Sequence, residues 1–316
     1  MQAEYFCDDL EPPLAAFGWD EERFRRFFES GGDEGGEADR VDAPTPAHAS
    51  TPTEDVRPCI LLLGDSLTEM GCHIGAGKVG RSVYTQQKWE KNPMDVEYGP
   101  GWSALIARDY AIARRADVFN RGFSGYNSRY VVDDLRKGLL SLPPPESMLA
   151  VVLMLGTNDQ SDQQMGQGVP LAEYRANMRA IVEMLRSAAP KAKVIMMAPP
   201  PCDAKVFDRL MGIPGCRDQS RVLAYVEVVR SLAAELGCTC VDLNACMLEA
   251  EKNDWSERFL WDGIHFSATG NKFVYDAVSK ALDDAGLAPS ALSWHRPHFL
   301  ARTWPTKFTH DGALIG

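Results

Sequence analysis

The chain has no long apolar run. Its longest, Ile60–Leu63 and Leu149–Leu155, are strand-sized and far short of the ~20 residues a membrane-spanning helix needs, so membrane insertion is not expected. A basic surplus is missing too: 33 Lys and Arg stand against 44 Asp and Glu, a formal charge of −11. Attraction to nucleic acid or an anionic bilayer requires clustered cations, which leaves a small neutral substrate as the expected partner. The first residues lack a basic segment followed by an apolar core, so no secretory leader is expected and cytoplasmic residence is the default. Cysteine is present, eight in all, but not at a zinc-knuckle spacing. Cys238-Thr239-Cys240 reads as two core residues on one strand face, and without a leader the thiols are expected to be reduced. His295 and His298 have no Cys or acidic neighbour to complete a metal site, so neither a cofactor nor a metal is expected.

What is there divides into three territories. Residues 1–57 contain a Gly-, Asp- and Glu-rich stretch (31–39) and a Pro/Thr/Ala-rich segment, too poor in apolar residues to pack, and are expected to be largely flexible. Within them Trp19–Phe28 has the spacing of a short amphipathic helix, with Phe24, Phe27 and Phe28 on one face, suited to docking on the chain's own body. Residues 58–288 alternate strand and helix patterns: strand-like runs lie near 59–64, 117–120, 149–155, 193–198 and 238–242, and helical patterns near 102–115, 128–140, 171–188, 219–236 and 268–283. Near-continuous apolar strands separated by helices imply an α/β domain with a parallel sheet covered on both faces. Pro170 suits a first helical turn, Gly237 a helix end, and Ser267 a helix cap. Residues 289–316 mix tryptophans with basic residues and read as a non-helical strap packed on the core. Nothing in the sequence speaks to oligomeric state.

The run Ile60-Leu61-Leu62-Leu63 ends abruptly in Gly64-Asp65-Ser66-Leu67. A buried strand feeding such a turn sets a serine at the carboxyl edge of a sheet, where open α/β folds place their ligands. Serine needs a base, an orienting acid and oxyanion donors to act as a nucleophile at neutral pH. In Asp262-Gly263-Ile264-His265 the carboxylate precedes the imidazole by one turn of chain, so Asp262 would fix the tautomer and His265 would take the Ser66 proton. Asn120-Arg121-Gly122-Phe123-Ser124-Gly125 and Gly156-Thr157-Asn158-Asp159 are two further glycine-containing turns after apparent strands. Backbone N–H groups of Ser66 and Gly125 with the Asn158 side-chain amide would form a three-donor oxyanion hole. Singly, each element is ordinary turn chemistry; together and in order they fill every role of acyl transfer.

These segments, in this order, resemble the blocks of the SGNH (GDSL-type) hydrolases. Asn120–Arg129 and Val169–Tyr174 are most similar to the isoamyl acetate-hydrolysing esterases of that superfamily. The resemblance implies a three-layer α/β/α, flavodoxin-like fold with five parallel strands in the order 2-1-3-4-5. It implies Ser66 as nucleophile, His265 as base, Asp262 as its partner, Ser66, Gly125 and Asn158 as oxyanion donors, and no metal. It suggests a serine esterase for short-chain, acetyl-type esters. The stretch from about Glu69 to Pro100 is longer than the family's usual connection, and with the 160–169 segment it is expected to shape the pocket, a moving lid and a plain solvent-exposed loop both being open for these glycine-containing segments. Phe123, Tyr126, Asp159 and Gln160 are the expected substrate contacts; His73 reads as a solvated loop residue. Alternatives on the same machinery are a carbohydrate deacetylase, a thioesterase or a lysophospholipase; a catalytically silent binding protein would have no need of the full residue set.

Overall fold

The computed structural model describes residues 57–72, 100–162, 166–211 and 214–293, with 306, 307, 309, 313 and 315. The expected N-terminal extension and its Trp19–Phe28 helix, His73, residues 73–99 of the insertion, Gln163, Gln164 and most of the 289–316 strap lie outside the described residues.

Five strands, β1 (Cys59–Gly64), β2 (Asp117–Gly122), β3 (Met148–Met154), β4 (Lys193–Ala198) and β5 (Thr239–Asp242), form one sheet in the order β2-β1-β3-β4-β5. All four pairings are parallel. Helices among the described residues are α1 (Ser66–Glu69), α2 (Trp102–Ile112), α3 (Ser128–Lys137), α4 (Leu171–Ala188), α5 (Ala204–Met211), α6 (Gln219–Leu236), α7 (Leu243–Ala250), α8 (Trp255–Phe259) and α9 (Ala268–Asp284). The chain is thus the expected three-layer, flavodoxin-like α/β/α fold.

Alternation along each strand builds the layers, because successive side chains leave opposite faces of a sheet. Leu61, Leu63, Val151, Leu153 and Met196 join Val132, Met178, Ile181, Val226 and Val229 of α3, α4 and α6 in one core. Ile60, Leu62, Val152, Met154, Ile195 and Met197 join Trp102, Ile106, Val274 and Val278 of α2 and α9 in the other. With both faces covered, β1 is buried along its whole length, which is why its sequence is continuously apolar instead of alternating.

Local chemistry sets the helix ends. Asn127, Asp218 and Ser267 accept from the N–H groups of Tyr130, Ser220 and Gly270, satisfying donors that the first turn leaves open. α3 stops at Lys137, short of the expected 140, because Gly138 turns the chain left-handed. α2 stops at Ile112, not near 115. Pro170 precedes the first helical residue of α4 instead of occupying it. The Cys238/Cys240 pair is not two core residues: Cys238 is half-buried, packed against the core, and Cys240 is exposed on β5, an edge strand. Short α1, α5, α7 and α8 were not anticipated, being too brief to show a helical period.

The strand order reverses about β1: its chain neighbour β2 lies on one side and β3 on the other. At such a switch point the connections leave in opposite directions and open a crevice beyond the carboxyl ends of the strands. The segments following β1, β2 and β3 all emerge there.

Candidate active site

Ser66 is the first residue of α1, two positions after β1 ends. Asp65 caps that helix, its Oδ1 accepting from the Leu67 N–H at 2.9 Å. A first-turn residue has no intrahelical acceptor for its own N–H, so the Ser66 amide and hydroxyl belong to one short rigid element. Gly64 lets the turn close on β3, since a Cβ there would fall 2.5 Å from the Met154 carbonyl oxygen.

Asp262 and His265 lie in the loop between α8 and α9. The loop is pinned at its base by the antiparallel bridge Leu260–Phe266 and by the Trp261 N–H donating to the His265 carbonyl at 3.0 Å. Asp262 Oδ1 accepts from the backbone N–H of Ile264 (3.0 Å) and His265 (2.7 Å). Its other oxygen meets His265 Nδ1 at 2.6 Å, and His265 Nε2 lies 2.9 Å from Ser66 Oγ, 199 residues away in the chain. Trp261 stacks on the imidazole, with ring centroids 5.8 Å apart. Burial opposes ionisation of Asp262, but the imidazole and the hydrogen bonds to its carboxylate outweigh it and hold the group below its usual range. For His265, burial works against the charged form, while Asp262 and, more weakly, Asp65 favour it; Arg217 opposes, and the net shift is upward.

Gly125 follows β2 with φ +82, a left-handed backbone that side chains other than glycine's adopt at a cost. Its carbonyl accepts from Gln167 Nε2 at 3.1 Å, and Gln167 in turn accepts from Asn127 Nδ2 at 2.7 Å. Asn158 follows β3; its Nδ2 donates to the Tyr126 carbonyl at 2.8 Å and its Oδ1 accepts from Arg217 at 3.2 Å. Phe123 and Tyr126 are half-buried and packed ring to ring with centroids 5.0 Å apart.

Asp159 and Gln160 stand elsewhere. Both are 0% exposed, which corrects their expected role as substrate contacts. Asp159 Oδ1 accepts from the Ser128 N–H at the start of α3 at 2.9 Å, and its carbonyl accepts from Val169 N–H. Burial raises its pKa to about 6 against the hydrogen bonds from Ser128. Gln160 Nε2 donates back to the Thr157 carbonyl. Both hold the turn after β3 together from inside.

Two further charged groups neighbour the site, Asp65 from the Gly64-Asp65-Ser66-Leu67 turn and Arg217, which carried no sequence signal. Asp65 is fully buried and pushed up to about 7, chiefly by burial, against the Leu67 N–H, His265 and Arg217. Arg217, between α5 and α6, is 5% exposed and lies over the Phe207 ring. It sits in Gly215-Cys216-Arg217-Asp218, a plain loop with no motif. Among the described residues, no cluster of His, Cys, Asp and Glu is arranged to hold a metal, and no helix is long and apolar enough to cross a membrane.

Residues 62–273 match the family model of the GDSL-like lipases and acylhydrolases. An isoamyl acetate-hydrolyzing esterase 1 homolog of Mus musculus is 32% identical over 248 residues, covering 77% of this chain and 87% of the mouse protein. A GDSL esterase/lipase of Arabidopsis thaliana is 31% identical over 259 residues, covering 77% of this chain and 93% of the plant protein. Among solved structures, a lipase/acylhydrolase from Enterococcus faecalis superposes with a TM-score of 0.52 at 21% identity, over 72% of this chain and 96% of that one. An acetyl xylan esterase variant from Geobacillus stearothermophilus superposes at 0.51, also at 21% identity, over 74% and 98%; both likenesses concern the fold. By the extent of the family match and the identity to its relatives, the chain belongs to the GDSL-like lipase/acylhydrolase family and is a carboxylic ester hydrolase.

Proposed function

We propose that the chain hydrolyses short-chain, acetyl-type esters of small neutral alcohols by two-step acyl transfer, with Ser66 as nucleophile, His265 as base and Asp262 as its orienting partner. The observation that carries this reading is the unbroken line from Asp262 Oδ2 through the His265 ring to Ser66 Oγ, with spacings of 2.6 and 2.9 Å. In acylation, Ser66 Oγ bonds to the ester carbonyl carbon as its proton passes to His265 Nε2. Charge then gathers on the carbonyl oxygen, against the N–H groups of Ser66 and Gly125 and the Asn158 Nδ2 hydrogen not given to Tyr126. As the oxyanion collapses, the bond to the alkoxy oxygen breaks and His265 returns the proton to the departing alcohol. Water, deprotonated by His265, attacks the acyl carbon; the bond from that carbon to Ser66 Oγ then breaks as His265 returns the proton to Oγ, releasing the acid and restoring the serine hydroxyl. Asp262 stays ionised throughout, consistent with its lowered pKa.

The preference for an acetyl-type acyl group is supported by the similarity to the mouse isoamyl acetate-hydrolyzing esterase homolog. Phe123 and Tyr126 supply an apolar wall near Gly125. A recess of about 10 Å³ beside His265 is lined by Leu67, Met70, Trp261, Phe266 and Asn271. Of the polar residues that would favour a carbohydrate substrate, Gln160 is buried and Asp162 pairs with Arg221 at 3.4 Å, while Gln163 lies outside the described residues.

The test is hydrolysis of p-nitrophenyl acetate, butyrate, octanoate and palmitate. Turnover should fall with acyl length and drop to background in folded Ser66→Ala. Asn158→Ala should lose about 10²–10³ in kcat, the usual effect of removing one oxyanion donor. Wild-type rates in folded Ser66→Ala would refute the mechanism, and a preference for palmitate would refute the acyl assignment.

A further inference from the structure

Arg217 is a cation buried to 5% exposure whose guanidinium bonds a carbonyl and a carboxamide, those of Thr157 and Asn158. Its Nε is buried without a hydrogen-bond partner. A buried charge bonded only to neutral groups is costly, and here the neutral groups belong to the turn that carries Asn158.

The two partners of the Asn158 side chain have opposite hydrogen-bonding sense. A guanidinium only donates, so the amide atom facing Arg217 is Oδ1; a backbone carbonyl only accepts, so the atom facing Tyr126 is Nδ2. Without Arg217 the carboxamide would keep one partner and regain rotational freedom. With it, the plane of the amide is fixed and a single Nδ2 hydrogen remains to be donated. A positive charge at the oxygen end also polarises the amide and strengthens its N–H as a donor. The bond to the Thr157 carbonyl holds the backbone of the same turn.

We propose that Arg217 is a positioning residue for ester hydrolysis, aiming and polarising the Asn158 amide toward the oxyanion; this rests on the reading of Asn158 as an oxyanion donor. Because the interaction matters only when charge develops on the carbonyl oxygen, its loss should appear in kcat and spare KM.

The experiment is a double-mutant cycle of Arg217→Met and Asn158→Ala with p-nitrophenyl acetate. Arg217→Met should lower kcat by about 10–10²-fold with KM within about threefold, and in the Asn158→Ala background it should change kcat less than about threefold, as for residues acting as a unit. A second readout separates positioning from misfolding. The charged groups that act on the His265 ring are Asp262, Asp65 and Arg217, and removing the Arg217 charge should move the acid limb of kcat/KM to higher pH. Arg217→Lys, which keeps the charge but loses the fork, is run in the same cycle and read by the same rule should the methionine variant not fold. Equal losses in both backgrounds, or an unchanged kcat in a folded variant, would overturn the proposal while leaving Asn158 as a donor. Wild-type kcat in Asn158→Ala would overturn both readings together.

Discussion

At the scale of single residues, the pH behaviour of the site depends on which charges surround one imidazole. His265 is raised above its ordinary value, and it accepts a proton only when neutral, so kcat/KM should climb with pH along an acid limb whose midpoint lies above about 6.5. Asp65 contributes to that rise. Asp65→Asn keeps a side-chain oxygen for the Leu67 N–H and should shift the limb to lower pH; a limb that does not move would mean Asp65 is already protonated across it. The residues proposed for this relay could be nominated from sequence because each stands in a glycine-containing turn after a strand or before a helix, where residue type and position together limit the role. Asp159 and Gln160 were misread because polarity in such a turn does not say which side of it faces the core. Arg217 was invisible for a different reason: it reaches Asn158 across 59 residues, from a loop whose sequence is like any other.

At the scale of elements, β1 and α1 act as one unit. Gly64 has no room for a side chain, since a Cβ would lie 2.2 Å from Thr68 Oγ1 and 2.5 Å from the Met154 carbonyl oxygen. The first atom is a side chain that rotates away, but the second is backbone of the paired strand. Gly64→Ala should therefore push α1 off β3, costing about 1–3 kcal/mol as overpacking does and reducing kcat more than KM because Ser66 moves with the helix. Denaturant unfolding and steady-state kinetics on the same sample check both halves. Leu62, fully buried between β1 and the α2/α9 layer, is a different case: Leu62→Ala should cost about 2–5 kcal/mol through lost burial and a residual cavity, with little change in KM at temperatures where it remains folded. The five strands and five long helices were legible because strand-length apolar runs and helical periods differ in repeat. The helix ends at Lys137 and Ile112, and the four short helices, depend on caps and packing that periodicity does not register.

At the scale of the whole molecule, activity and stability should run in opposite directions with pH. Burial raises Asp65 to about 7 and Asp159 to about 6. An acid whose folded pKa exceeds its unfolded one loses stability as pH rises between the two values. His265, raised in the folded state, adds stability that is full below its unfolded value and is lost as pH climbs through the folded one. All three groups act alike, so Tm should fall from about pH 4, the unfolded carboxylate value, through the folded values near 6 and 7 and on as His265 loses its proton, while turnover rises, and Asp159→Asn should flatten the Tm profile. Asp262 has the opposite sign: its contribution is present above the unfolded carboxylate value and disappears as pH drops through its lowered one. Calorimetry across this range checks the signs; a Tm that rises toward pH 8 would count against the buried acids. None of this was available from composition, because a carboxylate's pKa follows its burial and not its identity. The order of apolar runs, turns and caps along the chain was enough to specify an α/β layer structure and the residue types for acyl transfer, since both are encoded by local spacing. Which carboxylates are buried, which polar residues face inward, and that a distant arginine meets the Asn158 amide were settled by packing, where residues far apart in sequence come into contact and no local pattern records the meeting.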